Sequence, residues 1–413
     1  MAPQRTLLYL AREYLFPLNS AVRLRTFNWL LHLSKRFQVT LVAPARHEPS
    51  AMEREALEGR CHFILVPCTT AAPTLGRLPQ RLWNTARHAF TGIPADEQPL
   101  MSGPVKRAVH RLLREKRFHV AFVERWSQVD LAHAAAPYTM LDAGELQTPK
   151  QVADVQHMRN PLQRLWRSRL LSNQATAEAK ALSRFDLILL NGGLARKEVV
   201  RVIGSSRATL ALPAGLDTTH FAPETSGIDP RRIVFYTSLK SFNQQDALYY
   251  LCQDVLPRVR RRFGTVRLTV ISPQEPAELR ELLQADPDIE FLGPVDDPRP
   301  ILQSSALAVL PLRLGKGSRS RLMQLLAMGI PTVATPLATA GLDLVSGDGL
   351  LIAKDAADFS DAILQILEDA SLRQDLAYRG RALAESRLSL HATYENLTEA
   401  LSTLSLDIPG ALR

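Results

Sequence analysis

The sequence predicts an α/β protein built from two doubly wound domains, each with a parallel sheet covered by helices on both faces. The chain has 413 residues, which is long for a single hydrophobic core and suits two domains. Short apolar runs alternate with helical patterns twice along the chain, as doubly wound folds require. Most of these runs are continuous, which is typical of parallel strands buried on both faces.

The continuous apolar runs predict the strands. In the first half of the chain we expect them at residues 6–10, 38–43, 62–66, 119–124, 139–142, 186–190 and 209–212. In the second half we expect them at residues 232–237, 266–271, 288–292, 306–310, 331–335 and 349–353. Helical patterns fill the intervals, among them residues 22–36, 243–262, 357–369 and 371–386.

The boundary between the domains is expected in the turn-rich stretch 213–230. This stretch contains Pro213 and Pro223 together with Gly215 and Gly227, and such residues mark turns and loops. The sequence therefore predicts a first domain over residues 1–212 and a second over residues 231–387. Residues 388–413 are expected to form a helix that returns to the first domain.

Composition excludes several classes of protein. Hydrophobic residues make up 46% of the chain and charged residues 22%, as in ordinary globular domains. The three cysteines, Cys61, Cys68 and Cys252, lack the spacing of a metal site and indicate buried thiols in a reducing compartment. No apolar run approaches the roughly 20 residues that cross a bilayer. We expect a cytoplasmic protein, either soluble or peripheral on the inner face of the cell membrane.

The basic charge is compatible with three kinds of partner. The net charge of +9 suits nucleic acid, an anionic membrane surface or a phosphorylated substrate. Two segments, residues 104–118 and 159–171, combine arginine and lysine with apolar residues. They are either surface helices packed on the first sheet or helices that dock on anionic lipid. Nucleic acid is not expected, because aromatic residues are sparse there and no binding motif appears.

The segment after the predicted strand 306–310 has the composition of an anion site. Gly315 and Gly317 allow close approach of the backbone to a ligand. Ser318 suits a helix N-cap, and the free amides behind it attract anions. Arg319 and Arg321 add positive charge. One helix face would carry Gly317, Ser320, Arg321 and Gln324, and the opposite face would bury Leu322, Leu325 and Leu326. A plain glycine turn before a capped helix fits the same residues.

This segment resembles the donor-binding region of retaining GT-B glycosyltransferases of family 4, closest to the subgroup associated with bacterial exopolysaccharide synthesis. The matching residues are Gly315, Gly317, Arg319, Arg321, Ala327, Gly329, Pro331, Val333, Thr335, Gly341 and Leu342. Further segments resemble family motifs in the same order along the chain. They are residues 16–42, 212–221, 241–251 and 291–312.

The resemblance implies a GT-B fold whose two domains face a central cleft, with the acceptor bound by the first domain and the donor by the second. The donor would be a nucleoside-diphosphate sugar and the acceptor a glycan or a lipid-linked glycan, in the synthesis of cell-surface polysaccharides or glycoconjugates. Transfer would retain the anomeric configuration, and neither a metal ion nor another cofactor is expected. Docking on an anionic membrane surface through the basic helices would bring the enzyme to its acceptor.

The resemblance and the residue chemistry together assign candidate site residues. Basic groups and helix amides would stabilise the charge that develops on the leaving phosphates. The phosphate candidates are Lys240, Gly315, Gly317, Ser318, Arg319 and Arg321. Gln324 would bind the ribose, and the base pocket would comprise Gly293, Pro294 and Val295. On the acceptor side the candidates are Asn19, Ser20, Arg23, Asp142 and Glu145, while no residue stands out as a catalytic base.

Several positions depart from the family pattern. Lys316 and Gln324 occupy positions where relatives often carry glutamates, and Ser20, Ala21 and Thr237 stand where relatives often have glycine. A glutamine can hydrogen-bond a hydroxyl but lacks the charge-assisted bond of a carboxylate. Two alternatives therefore stay open: a catalytically impaired GT-B scaffold that binds nucleotide sugars or regulates, and a nucleotide-sugar epimerase.

Overall fold

A computed structural model describes residues 5–17, 21–45, 48–67, 88–94, 103–144, 146, 148, 155, 160–204, 208–212, 215–224, 227–314 and 319–404. The chain forms two compact units. The first unit comprises Met1–Leu212 with Glu399–Arg413, and the second comprises Pro213–Thr398. Each unit has its own hydrophobic core, formed around one parallel sheet.

The first unit contains a seven-stranded sheet among its described residues. Its strands are β1 (Thr6–Leu10), β2 (Gln38–Ala45), β3 (Cys61–Pro67), β4 (Val120–Val123), β5 (Tyr138–Gly144), β6 (Leu187–Leu190) and β7 (Ala208–Ala211). The order across the sheet is β3-β2-β1-β4-β5-β6-β7, and each adjacent pair is parallel. The direction of winding reverses between β1 and β4, where doubly wound sheets bind their ligands.

Helices connect the strands of this sheet. They are α1 (Ala21–Leu33), α2 (Ala51–Leu57), α3 (Gly103–Glu115), α4 (Val129–Ala135), α5 (Pro161–Leu182) and α6 (Gly193–Ile203). A 3₁₀ turn, Trp126–Gln128, lies between β4 and α4. The Asn160 side chain starts α5 by accepting hydrogen bonds from the amides of Leu162 and Gln163, which satisfies two donors that a helix N-terminus leaves free.

The second unit contains a six-stranded sheet of the same type. Its strands are β8 (Asp229–Tyr236), β9 (Arg267–Ile271), β10 (Ile289–Leu292), β11 (Ser305–Leu310), β12 (Thr332–Ala334) and β13 (Leu350–Ile352). The order is β10-β9-β8-β11-β12-β13, again with parallel neighbours. The winding reverses between β8 and β11, which makes that pair the topological switch point of this unit.

The helices of the second unit surround this sheet. They are α7 (Phe242–Tyr250), α8 (Leu256–Phe263), α9 (Arg280–Gln284), α10 (Arg299–Gln303), α11 (Arg319–Ala327), α12 (Pro336–Thr339), α13 (Ala356–Glu368) and α14 (Ala370–Leu383). A final helix, α15 (Leu390–Leu404), follows a π-helical turn at Ala384–Leu388. A 3₁₀ turn at Ala277–Leu279 precedes α9.

The prediction of two doubly wound α/β domains is confirmed, and each predicted strand has a counterpart within a few residues. One predicted helix, residues 243–262, is helical throughout but not regularly α-helical. A π-helical turn at Leu251–Val255 separates α7 from α8, which carries Pro257 in its first turn. Proline has no amide hydrogen and its ring clashes with the preceding turn, so the regular hydrogen-bond ladder cannot pass through this position. Asp229 and Pro230, expected in the connecting stretch, belong to β8.

The guanidinium of Arg381 joins three segments of the second unit. Its Nη1 donates to the carbonyl oxygens of Thr218, Phe221 and Ala327, at 2.9, 3.0 and 2.8 Å. Ala327 is the last residue of α11, so this contact satisfies a carbonyl that the helix terminus leaves free. Arg381 therefore ties the stretch before β8 and the end of α11 to α14.

The two basic segments that look alike in the sequence differ in the structure. In α3 the apolar residues Val105, Val109 and Leu112 are buried in the core of the first unit, so this helix packs on the sheet. In α5 the first nine residues are exposed. Within the described ranges, none of the helices combines the length and apolarity that crossing a bilayer requires.

We predict that Gly349→Ala destabilises the second unit more than Gly264→Ala. Both glycines have positive φ, +88° and +86°, where a side chain costs about 1–2 kcal/mol. A Cβ at Gly264 would meet nothing within 4 Å, whereas one at Gly349 would lie 2.7 Å from the Gly380 backbone nitrogen. Crowding of this kind adds about 1–3 kcal/mol. Urea unfolding of both variants measures the difference, and equal losses of stability would contradict the close approach of Gly349 to α14.

Candidate functional site

The carboxyl ends of β8 and β11 lie side by side at the switch point of the second unit. Tyr236 is the last residue of β8, and α11 follows β11 in the chain. The guanidinium carbon of Arg321, in the first turn of α11, lies 4.0 Å from the centre of the Tyr236 ring. An arginine over an aromatic face is attracted by the ring quadrupole. This contact holds a positive charge at the edge where open α/β sheets bind ligands.

Arg321 differs from the neighbouring arginine, Arg313. Arg313 donates to both carboxylate oxygens of Asp246 at 2.7 and 3.1 Å and lies over the Tyr250 ring at 4.4 Å. Its charge is therefore compensated. Arg321 forms no ion pair with any residue that the structure describes. Its charge remains available to an anionic ligand.

Lys240 lies in the turn between β8 and α7 and is exposed. The preceding residue, Leu239, is buried. Its amide donates to Ser272 Oγ and its carbonyl accepts from Gln245 Nε2. The turn is thus fixed on both sides of Leu239, and it carries the Lys240 ammonium at the same edge of the sheet as Arg321.

Gln324 lies one turn after Arg321 and is half-buried. Residues three apart share a helix face, so the two side chains point in similar directions. Among the described residues, no hydrogen-bond partner of the Gln324 amide is found. On the opposite face Leu322, Leu325 and Leu326 are fully buried, as the helical spacing predicts.

Several predicted site residues lie outside the described part of the chain. They are Asn19, Ser20, Glu145, Gly315, Gly317 and Ser318. Lys316 and the side chain of Arg319 are outside it as well. The three residues of the predicted base pocket, Gly293, Pro294 and Val295, directly follow β10. Because β10 is the edge strand, they lie two strands away from the end of β8.

A buried carboxylate, Glu124, lies at the switch point of the first unit. It directly follows β4 and is 9% exposed. Its oxygens accept hydrogen bonds from the Tyr9 hydroxyl at 2.7 Å, the Thr26 hydroxyl at 2.5 Å and the Arg12 amide at 2.8 Å. Burial raises the pKa of Glu124 above its usual value, although these three donors oppose the shift. Glu124 therefore joins β1, β4 and α1 at one point.

Asp142, predicted on the acceptor side, forms a second buried group. Its Oδ2 accepts from Arg25 Nε at 2.7 Å and from Trp29 Nε1 at 2.8 Å, and its Oδ1 accepts from Arg25 Nη2 at 2.8 Å. The side chains of Arg25 and Asp142 are 11% and 6% exposed. The carboxylate is thus engaged in holding α1 against β5, and sequence spacing gave no sign of a partner 117 positions away.

Arg23, also predicted on the acceptor side, is paired within the first unit. Its Nε and Nη2 donate to Glu13 Oε2 at 3.1 and 2.9 Å, and its Nη1 donates to the Pro17 carbonyl at 3.2 Å. The guanidinium is half-buried beside the loop that follows β1. Its charge is compensated, so the position favours a structural role in this loop.

Sequence reasoning did not single out the polar residues of the turn after β4. Trp126 Nε1, Ser127 Oγ and Gln128 Oε1 are buried, and none has a partner among the described residues. Buried polar groups usually have hydrogen-bond partners. At the carboxyl end of β4 these three groups are candidates for contact with a hydroxyl-rich ligand. The only sequence signal was their position after a predicted strand.

The described residues give little sign of metal or thiol chemistry. No three histidine, cysteine, aspartate or glutamate side chains of this part of the chain lie close enough together to hold a metal ion. Cys61 and Cys252 are half-buried free thiols. Burial raises their pKa values to about 11 and about 12, so neither is a thiolate at neutral pH.

Comparisons with known proteins bear on the second unit and on the fold of the whole chain. Residues 230–369 match the family model described as Glycosyl transferases group 1. This range lies wholly within the second unit and includes β8 from Pro230 onward, Arg321 and α13. A comparison with curated protein sequences gives no significant match.

Solved structures resemble the whole chain at low sequence identity. Anabaena Alr3699/HepE in complex with UDP is 13% identical and has a TM-score of 0.65, covering 96% of this chain and 100% of its own. Sucrose-phosphate synthase from Thermosynechococcus elongatus is 14% identical, with a TM-score of 0.65 and coverage of 98% and 100%. A glycosyltransferase from Rickettsia africae ESF-5 is 9% identical, with a TM-score of 0.63 and coverage of 97% and 98%.

The chain therefore has the α/β GT-B fold that the sequence predicts. Identities this low establish the fold alone. The match of residues 230–369 to group 1 glycosyl transferases adds support for a glycosyltransferase.

We predict that Asp142→Asn destabilises the protein far more than Asp130→Asn. Loss of the Asp142 charge leaves Arg25 buried without compensation, which costs about 3–5 kcal/mol. Asp130 pairs with Arg184 at the surface, with side chains 73% and 42% exposed, and such pairs contribute at most about 1 kcal/mol. Thermal unfolding of both variants tests this. Similar melting points would show that Asp142 is not a structural residue and would return it to the acceptor-side candidates.

Proposed function

We propose that the protein transfers a sugar from a nucleoside-diphosphate sugar to a glycan or lipid-linked acceptor. The observation that carries the proposal is the coincidence of two findings in the second unit. Residues 230–369 match group 1 glycosyl transferases, and Arg321, in the same range, lies at the carboxyl edge of its sheet with no ion-pair partner among the described residues. Transfer with retention and without a metal ion, as the family resemblance implies, is part of this proposal.

Stabilisation of the leaving group is the chemistry that these residues fit. When the bond between the sugar and the β-phosphate breaks, negative charge grows on the phosphate oxygens while the sugar becomes cation-like. Fixed positive groups aimed at those oxygens lower the barrier. Arg321 and Lys240 supply such charge, and Arg319 with the amides of Gly317 and Ser318 would add to it at the N-terminus of α11.

The rest of the nucleotide would follow the same edge of the sheet. The Gln324 amide would bind the ribose hydroxyls, and Gly293, Pro294 and Val295 would line the base pocket at the end of β10. UDP is the first nucleotide to test, because one similar structure, Alr3699/HepE, is a complex with UDP and another with UDP-glucose.

The first unit would bind the acceptor. Trp126, Ser127 and Gln128 would offer hydrogen-bonding groups to a sugar hydroxyl at the end of β4, and the predicted Asn19, Ser20, Arg23, Asp142 and Glu145 stay acceptor-side candidates from the sequence. A role in cell-surface polysaccharide or glycoconjugate synthesis, at the cytoplasmic face of the membrane, agrees with the basic surface of this unit.

A second candidate function is nucleotide-sugar binding without transfer. The amide of Gln324, at a position where relatives often carry a glutamate, favours it. The two functions separate in one experiment, in which UDP-sugars are incubated with the protein with and without candidate glycan acceptors, and released UDP is measured. Acceptor-dependent release with a new glycosidic product supports transfer. UDP binding without turnover of any donor supports the binding protein, and absence of both overturns the site.

We predict that Arg321→Ala weakens UDP binding about tenfold to a hundredfold, because a hydrogen bond to a charged group contributes about 1.5–3 kcal/mol. Arg313→Ala is the matched control, since Arg313 is already paired with Asp246. It should change affinity by less than about threefold. Isothermal titration calorimetry measures both variants. Unchanged affinity in Arg321→Ala would count against the phosphate site.

We predict that Gln324→Glu retains or strengthens UDP binding. A carboxylate accepts charge-assisted hydrogen bonds from ribose hydroxyls, which are stronger than those to an amide. Gln324→Leu, which has a similar size but no hydrogen-bonding group, should weaken binding by about tenfold. Calorimetry distinguishes these outcomes. If Gln324→Glu lost UDP binding while its melting point stayed unchanged, the ribose assignment would be wrong.

A further inference from the structure

We propose that the N-terminal half of α5 docks on an anionic membrane, and that the pocket beside this helix holds the phosphate-bearing head of a lipid. The inference rests on the proposed function in one respect, because it names the surface and pocket through which a lipid-linked acceptor is reached. Membrane docking itself can be measured without any sugar transfer.

The first observation is an exposed apolar face on α5. Leu162, Leu165 and Trp166 are 78%, 72% and 50% exposed. They lie three and four residues apart and therefore share one face of the helix. Burial of α5 in the first unit begins only at Leu170, so its first nine residues project from the core into solvent.

The second observation is uncompensated positive charge on the same segment. Arg164, Arg167 and Arg169 are exposed, and none of them forms an ion pair with a residue that the structure describes. No aspartate or glutamate occurs from Arg159 to Ala177. Apolar and aromatic side chains interleaved with arginines are typical of helices that lie in the interface of anionic bilayers.

The third observation is a pocket of about 600 Å³ along the next face of α5. Its lining residues are Thr148, Val155, Pro161, Arg164, Leu165, Ser168, Leu171, Ser172 and Ala175. Those from α5 recur at helical spacing, so they form one continuous stripe. Leu165 belongs both to this stripe and to the exposed apolar face, so the pocket opens directly beside the surface that would meet the membrane.

The lining of the pocket matches an amphiphile with a phosphate group. The Arg164 guanidinium can form two parallel hydrogen bonds to a phosphate. Ser168 and Ser172 offer hydroxyls to the remaining oxygens. Val155, Leu171 and Ala175 provide apolar contact for the first carbons of a lipid chain. A free inorganic phosphate would use only the polar half of this lining.

Helix α3 is basic like α5 but lacks an exposed apolar face. It also carries exposed arginines, at Arg107, Arg111 and Arg114. Its apolar residues Val105, Val109 and Leu112 are buried in the core of the first unit, so it has no free apolar face for a bilayer. The two helices therefore form a matched pair, with equal numbers of exposed arginines and different apolar exposure.

The docking test uses the full chain and two kinds of vesicle, one of phosphatidylcholine alone and one of equal parts phosphatidylcholine and phosphatidylglycerol. We expect co-sedimentation with the anionic vesicles only, weakened by salt. The triple variant Arg164→Gln, Arg167→Gln, Arg169→Gln should bind on the order of a hundredfold more weakly, and Leu162→Ser with Trp166→Ser at least about tenfold more weakly. The control variant loses the same charge from α3 and combines Arg107→Gln, Arg111→Gln and Arg114→Gln. Its affinity for the anionic vesicles should stay within about threefold of wild type.

The pocket test uses dihexanoyl phosphatidic acid as a soluble probe, with inorganic phosphate and dihexanoylglycerol as comparisons. Calorimetry should show saturable binding of the phosphatidic acid and of neither comparison. Arg164→Gln removes the positive charge of the pocket, and Ala175→Trp fills the pocket. Each variant should abolish binding of the phosphatidic acid. Equal binding of inorganic phosphate would mean that the site takes phosphate alone and would overturn the lipid assignment.

Several outcomes overturn the docking proposal. One is equal binding of the protein to both vesicle types. Another is an equal loss of vesicle binding in the α3 control variant. A third is a wild-type dimer that dissociates in the variant Leu162→Ser with Trp166→Ser, which would make the exposed face of α5 a dimer interface. The proposed function fails separately. Transfer to a soluble glycan without vesicle binding would refute docking alone, and vesicle binding without any UDP binding or turnover would refute the glycosyltransferase alone.

Discussion

Parallel pairing is the constraint on which both units depend. Adjacent strands in both described sheets run in the same direction, so all strands of a sheet end at one edge. Helices cover the sheets, and the buried strand residues are mostly apolar. The loops at the carboxyl edge, where the winding reverses, can therefore bring polar side chains from several strands together around a ligand. The fold alone therefore predicts that a ligand binds at the carboxyl edge of the sheet.

The two units use this edge in different ways. In the first unit the carboxylates Glu124 and Asp142 are buried and fully engaged with Tyr9, Thr26, Arg25 and Trp29, so they stabilise the edge itself. In the second unit Arg321 lies over an aromatic ring and pairs with no acid in the part of the chain that the structure describes. A ring contact orients a guanidinium without neutralising it. A positively charged edge of this kind would suit the diphosphate of the proposed donor.

The fold was largely predictable from the sequence, and the site only in part. Continuous apolar runs located the strands because a parallel strand that is buried on both faces needs apolar residues at successive positions. The π-helical turn at Leu251–Val255 was missed because the regular apolar stripe predicted an α-helix over the whole segment. The stripe does not show that Pro257 disrupts the α-helical hydrogen bonds before it. Asp142 and Arg25 form an ion pair although they lie 117 positions apart in the chain. No local sequence pattern predicts such a pair. The segments that became α3 and α5 looked alike because charge and apolar content can be read from a sequence, whereas the side on which a helix packs cannot.

Charge pairing, more than net charge, distinguishes the functional cations. Many arginines of this basic chain are neutralised locally, as Arg260 is by Asp286 and Arg299 by Asp297. Among the described residues, Arg321 and Lys240 form no ion pair and lie at the proposed donor site, and the arginines of α5 form none and lie at the proposed lipid-docking surface. The net charge of +9 does not by itself mark a site, because arginines in ion pairs and exposed arginines outside them, such as those of α3, both contribute to it.

Hydrogen–deuterium exchange of the full chain with and without UDP tests the central claim most directly. If the second unit binds the donor at the carboxyl edge of its sheet, UDP should protect the backbone amides from Thr237 to Gln245 and those at the start of α11. The opposite edge of the same sheet, where residues such as Gln303, Ser305 and Gly329 line a separate cavity of about 310 Å³, should exchange at an unchanged rate. Protection at that opposite edge, or no protection in the second unit at saturating UDP, would contradict the account.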